Sequence, residues 1–158
     1  MGSRYSRAKK EVLVAVSGGF DPIHIGHIRY IIAAKKLGDK LVVILNNDNW
    51  LKDKKGFFFM SQEERKEILE GIRCVDQVIL TDHKPGDYFK DRSVCTLLRE
   101  IRPHIFANGG DRKPEGDPVP EVALCKELGI NMIYNVGYGG KVQSSSWLIE
   151  KAKKKEHS

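Results

Sequence analysis

The chain has 158 residues, 41% hydrophobic and 30% charged, which is the balance of a soluble globular protein with material for one core and not two. No apolar run approaches the roughly 18 residues of a membrane span, so a membrane partner is not expected. A formal net charge of +6 favours anionic partners, but the basic residues are not interleaved with aromatics and match no nucleic-acid module, so nucleic acid is not expected either.

In chain order, a flexible segment over 1–10 precedes one domain over 11–150, and a basic tail over 151–158 closes the chain. Val12 to Val16 reads as a buried strand, ended by Ser17-Gly18-Gly19. From Gly26 to Leu37 apolar residues recur at helical spacing (Ile28, Ile31, Ile32), and Gly38 supplies the stop. Lys40 to Asn46 is a second buried strand, so the three elements form a βαβ unit with parallel strands. Ser61-Gln62-Glu63-Glu64 is a capping box that opens a helix through Leu69. Gln77–Thr81 is a strand, Ser93–Ile101 a helix, His104–Ala107 a strand, Val119–Leu128 a helix and Asn131–Val136 a fifth strand. Ser144 begins a last helix. This alternation predicts an α/β fold, a single Rossmann-like doubly wound domain with a five-stranded, mainly parallel sheet. The three cysteines show neither a disulfide framework nor metal-ligand spacing, so buried free thiols and a cytoplasmic location are expected.

In open α/β sheets ligands bind beyond the carboxyl ends of the strands. Four polar clusters occupy such positions: "SGGFDPIHIGH", "NNDNWLKDKK", "NGGDR" and "GYGGKVQSSS". In the first, Gly18 and Gly19 allow positive φ and close backbone approach, so amide groups can face an anion. His24 and His27 flank Gly26 at the start of a helix and share one of its faces. As alternatives, one histidine caps the helix while the other packs, or the pair binds a metal; no third ligand stands at suitable spacing for the metal.

"GGFDPIHIGH" resembles the HxGH signature of the nucleotidylyltransferase superfamily, and the likeness extends over about residues 12 to 150. "RYIIAAKKLGDKLVVILNND", "SQEERKEILEGIRCVDQVI", "FANGGDR" and "KVQSSSWLI" each resemble a family segment, in the family's order. The chain is most similar in pattern to glycerol-3-phosphate cytidylyltransferases and heptose 1-phosphate adenylyltransferases. It departs from the former before the last motif, where "NVGYGGKVQ" leaves Lys141 as the one cation.

The resemblance implies transfer of a nucleoside monophosphate from CTP or ATP to a small phosphorylated acceptor (a sugar, polyol or amino-alcohol phosphate, or a phosphonate), with release of pyrophosphate. It implies His24 and His27 on the α- and β-phosphates, with Lys52 and Lys141 as further catalytic cations. Gly18, Gly19 and Phe20 would supply the backbone phosphate cradle, and Asp21 and Gly26 would also bind the nucleotide. Arg65, the backbone of Asn108, Gly109 and Gly110, and Asp111 would hold the nucleotide. Ser144, Ser145 and Ser146 would meet the β- and γ-phosphates. Lys52, Lys54 and Lys55 would bind the acceptor phosphate, or else form an ordinary solvated charge run. The alternative for Arg65 is an exposed ion pair with Glu63, Glu67 or Glu70. Mg²⁺ is implied by the triphosphate rather than by a protein cage, with Asp21 the nearest carboxylate. "GFFFM" (56–60) and Trp50 would line either an acceptor pocket or the interface of a homodimer, and the interface is favoured. A non-catalytic nucleotide-binding regulatory domain of the same fold is the alternative function.

Overall fold

A computed structural model describes residues 10–110, 120–137 and 150–154. Five strands, β1 (Leu13–Gly18), β2 (Lys40–Leu45), β3 (Gln77–Leu80), β4 (Ile105–Ala107) and β5 (Asn131–Ile133), form one sheet in the order β3-β2-β1-β4-β5. Every pairing is parallel. The helices are α1 (Ile25–Lys35), α2 (Asp48–Lys55), α3 (Gln62–Glu70), α4 (Asp87–Lys90), α5 (Cys95–Ile101) and α6 (Pro120–Leu128). Residues 150–154 are also helical and exposed. Among the described residues no helix is long and apolar enough to cross a membrane.

Alternate residues of the central strands feed two cores, as the pleat requires. Val14, Val16, Leu41 and Val43 pack with Ile31 of α1 and Leu69 of α3 on one face. Ala15, Val42, Ile44 and Phe106 pack with Leu98 of α5 and with Leu124 and Cys125 of α6 on the other. Cys95 and Cys125 are buried free thiols, and burial pushes the Cys125 thiol up to about 11. Cys74 is only half-buried.

The chain leaves β1 for β2 on one side and later returns to β4 on the other. The order of strands therefore reverses between β1 and β4, and the crevice beyond their carboxyl ends is the expected ligand position. Two elements depart from the sequence expectation there. Residues Asp48–Lys55 of the "NNDNWLKDKK" cluster form the helix α2, which the sequence expectation does not include, and α4 is a further short helix. β5 ends at Ile133 because Asn135 turns to φ 55° and Val136 N–H donates to Asn108 O at 2.9 Å.

Candidate active site at the β1–β4 crevice

The loop after β1 is built on close contacts. The left-handed backbone falls on Phe20, at φ 51°, and not on Gly18 or Gly19 as the sequence suggested. Gly19 is needed for space instead: a Cβ there would lie 2.9 Å from Leu51 Cδ2 of α2. The Phe20 ring is buried and meets the His27 ring edge to face, with centroids 4.9 Å apart.

His24 is the N-cap of α1, and its Nδ1 accepts from Gly26 N–H at 3.1 Å. His27 reaches back, its Nδ1 accepting from His24 N–H at 3.2 Å. The two half-buried rings stack at 3.7 Å between centroids with 20° between planes. Capping and phosphate binding are therefore not rival roles for this pair. A ring nitrogen that accepts an amide hydrogen carries no proton, so a neutral His27 holds its proton on Nε2. Burial, reinforced by the neighbouring His24, pulls His27 down to about 3, so His27 stays neutral throughout the physiological range. The first turn of α1 contains no acidic residue, whereas α2 and α3 carry Asp48, Glu63 and Glu64 in theirs. The positive end of α1 is thus left uncompensated by carboxylates of its own first turn, which suits an anion.

Two buried charges lock the surrounding loops. Arg65, expected to hold the nucleotide, is 1% exposed, which removes the alternative of an exposed pair with a neighbouring glutamate. Its guanidinium donates to Met60 O at 3.0 Å, Gly19 O at 2.8 Å, Asn46 O at 2.6 Å and Asp48 Oδ1 at 2.7 Å. A planar fork with five donors can tie the loop after β1, the end of β2, the start of α2 and the turn before α3 together; a lysine cannot. Asp21 does the same with the opposite sign. Its Oδ2 and Oδ1 accept from Phe59 N–H and Met60 N–H, both at 2.8 Å, and Lys55 Nζ lies 3.3 Å from Oδ2 and 2.7 Å from Asp21 O. In this arrangement Arg65 and Asp21 shape the site from beneath. With both carboxylate oxygens committed, Asp21 does not fit a magnesium ligand, and among the described residues no group of three His, Cys, Asp or Glu is placed for one. Asn46, also buried, keeps an Oδ1 with no partner among the described residues.

The three lysines of α2 separate. Lys55 is turned to Asp21. Lys54 lies 5.0 Å over the Trp50 ring, and Lys52, exposed, lies 5.3 Å over Phe58 and makes no ion pair among the described residues. Trp50 does not join the 56–60 loop. Its Nε1 donates to Arg92 O at 3.0 Å and its ring meets Tyr88 at 5.2 Å. On the far side of the crevice, Tyr30 OH donates to Ala107 O, which ties α1 to the end of β4. Asn108 is buried, with its N–H on Ile133 O at 2.8 Å, and half-buried Gly109 and Gly110 follow it. Asp111, Lys141, Ser144, Ser145 and Ser146 lie outside the described residues.

A cavity of about 190 Å³ opens elsewhere, at the end of β3, lined by Asp82, His83, Asp87, Lys90 and Asp91 among others. Three carboxylates against one lysine make it a poor seat for a triphosphate. The histidine crevice, with its amide-rich helix end and lysines, is the better one.

Sequence and structure comparisons give the family. The family model described as "Cytidylyltransferase-like" matches residues 15–122. The bifunctional protein HldE of Pelobacter propionicus is 32% identical over 148 residues, 92% of this chain but 26% of that protein. The FAD synthase of Pyrococcus horikoshii is 34% identical over 124 residues, 78% of each chain. This chain thus spans about a quarter of the one relative and most of the other. A lipopolysaccharide core biosynthesis protein from Thermoplasma volcanium superposes with a TM-score of 0.62 at 26% identity, covering 82% of this chain and 99% of that one. With the matched region running from β1 into α6 and enclosing both histidines, the chain belongs to the cytidylyltransferase-like family of nucleotidyltransferases.

Proposed function

We propose that the chain transfers a nucleoside monophosphate from CTP or ATP to a small phosphorylated acceptor and releases pyrophosphate. An acceptor phosphate oxygen attacks the α-phosphorus; the new P–O bond forms as the bond to the β-phosphate oxygen breaks, and pyrophosphate leaves with the charge. Such chemistry depends on positioning and charge stabilisation more than on a covalent intermediate.

One observation carries the proposal: two stacked imidazoles at the open end of a helix, each with Nδ1 turned to the backbone, and His27 held neutral with its proton on Nε2. Donors fixed before the reaction act without reorganisation, and one such donor is worth about 10²–10³ in rate. Lys52 is the acceptor-phosphate cation in this reading, because Lys55 is committed to Asp21. The resemblance of Gly109-Gly110-Asp111 to the loop of adenylyltransferases favours ATP over CTP. Mg²⁺ would accompany the triphosphate, without a ligand from Asp21. The test is a matrix of ATP, CTP, GTP and UTP against phosphorylated sugars, polyols, amino alcohols, aromatic phosphates and phosphonates, read by pyrophosphate release. Tight nucleotide binding with no pyrophosphate from any pair would replace the enzyme by a regulatory nucleotide-binding domain.

A further inference from the structure

The loop between α2 and α3 holds an unusual surface. Phe57 and Phe59 are 41% and 54% exposed, and their rings meet edge to face with centroids 5.2 Å apart. The backbone that carries them is fixed: Phe59 N–H and Met60 N–H sit on the Asp21 carboxylate and Met60 O accepts from Arg65 Nε. Asp21 stands three residues before His24, so this aromatic corner adjoins the histidine loop. Lys55 Nζ lies 5.6 and 5.8 Å from the two ring centroids, and Lys52 Nζ lies 5.3 Å over the intervening Phe58.

We propose that this corner seats the ring of the acceptor, which is a phosphomonoester bearing a planar aromatic system. The proposal rests on the transfer reaction above and narrows its acceptor. A polyol or sugar needs hydrogen-bonding partners for its hydroxyls, and the side chains of Phe57, Phe58 and Phe59 offer none. They offer ring faces and edges, which recognise flat π-systems, beside the Lys52 ammonium, which recognises phosphate. Burial by a second copy of the chain is disfavoured by charge. A two-fold interface across these rings would bring the lysines that lie over them toward those of the second copy, whereas an anionic ligand neutralises them.

The test titrates the full chain with riboflavin 5′-phosphate, followed by its fluorescence, and with 4-nitrophenyl phosphate and glycerol 3-phosphate by calorimetry. It uses the wild type and Phe57→Ala/Phe59→Ala, with Phe59→Tyr as a variant that keeps a ring, and urea melts confirm that each is folded. We expect at least one aromatic phosphate to bind at least tenfold more tightly than glycerol 3-phosphate, a loss of tenfold or more in the double variant, and retention in Phe59→Tyr. Equal or tighter binding of glycerol 3-phosphate, or unchanged aromatic binding in the double variant, overturns the proposal. So does a wild-type dimer that becomes monomeric in the double variant, since the corner would then be an interface. Ring-dependent binding without pyrophosphate release from any triphosphate keeps this seat and removes the transfer reaction. Turnover of polyol phosphates indifferent to both phenylalanines does the reverse.

Discussion

Arg65 is the residue whose replacement separates internal support from ligand contact most cleanly. Arg65→Met keeps much of the side-chain volume and deletes all the donors. Gly19 O, Asn46 O and Met60 O then lose their guanidinium hydrogen bonds, and an orphaned buried acceptor costs about 1–3 kcal/mol. Asp48 is 21% exposed at its side chain and can turn to water, so its share is small. Partial entry of water caps the sum, and breaking a buried pair of this kind costs about 3–5 kcal/mol. With a urea m-value of about 2 kcal/mol/M, a loss near 4 kcal/mol moves the midpoint down by about 2 M. Arg65→Lys keeps the charge but not the fork, and half of that loss is expected. The assay is urea unfolding beside the triphosphate KM from pyrophosphate release. A midpoint within about 0.3 M of wild type, with KM raised tenfold, would refute the reasoning. The guanidinium would then be a ligand group and not a strut.

Four other outcomes follow from the same geometry. Asp21→Asn replaces one acceptor oxygen by a donor facing an amide N–H and breaks the pair with Lys55, so it should cost about 2–3 kcal/mol and open the 56–60 loop to chymotrypsin; unchanged proteolysis would count against it. Because His27 titrates at about 3 when folded against 6.5 unfolded, its contribution is complete above pH 6.5 and is lost as pH falls toward 3, by at most about 5 kcal/mol. The urea midpoint of wild type should therefore fall toward that of His27→Gln on acidification, and a pH-independent gap would be the contrary result. His24→Ala and His27→Ala should each lower pyrophosphate release about 10²–10³-fold while costing roughly 0.5–2 kcal/mol as lost caps; full activity in both would end the phosphate assignment. Gly19→Ala should cost about 1 kcal/mol through its contact with Leu51, and Leu51→Val should recover part of it, a coupling that a double-mutant cycle reads directly.

The strands were legible because their signal is local: "VLVAVS" and "KLVVILN" are continuous apolar runs bounded by turn residues. Their ends were less so. Ser17 and Gly18 read as a turn, yet both stay paired with β2, opposite Ile44 and Leu45. The helix α2 was hidden by its polarity, since its only strongly apolar residues are Trp50 and Leu51. Its punctuation was nevertheless present: Asn47 as N-cap to Trp50 N–H, Asp48 in the first turn, three lysines in the last and Gly56 at φ 83° after it. What no local pattern could reveal were the long-range locks. Asp21 meets the amide of Phe59, 38 residues later, and Arg65 meets Gly19, 46 residues earlier. In sequence each is a charged residue inside a motif, with nothing to mark its partner.

The spacing of the two histidines is explained by the capping geometry rather than by the substrate. A serine at position 24 would satisfy the amide of Gly26 equally well, because N-capping asks only for an oxygen or nitrogen lone pair. It would then have used its short reach on the backbone. An imidazole separates the two tasks by the width of the ring: Nδ1 turns to the helix end and Nε2–H points away from it. Placing the second histidine three residues on lets it cap the first one's amide in return, and the two rings stack face to face. Burial, with the neighbouring His24, keeps His27 neutral, so in the proposed reaction it would serve as a dipolar donor rather than as an acid. In the proposed reaction such a donor would be set by the fold before any phosphate arrives, which is the condition for its acting on a transition state.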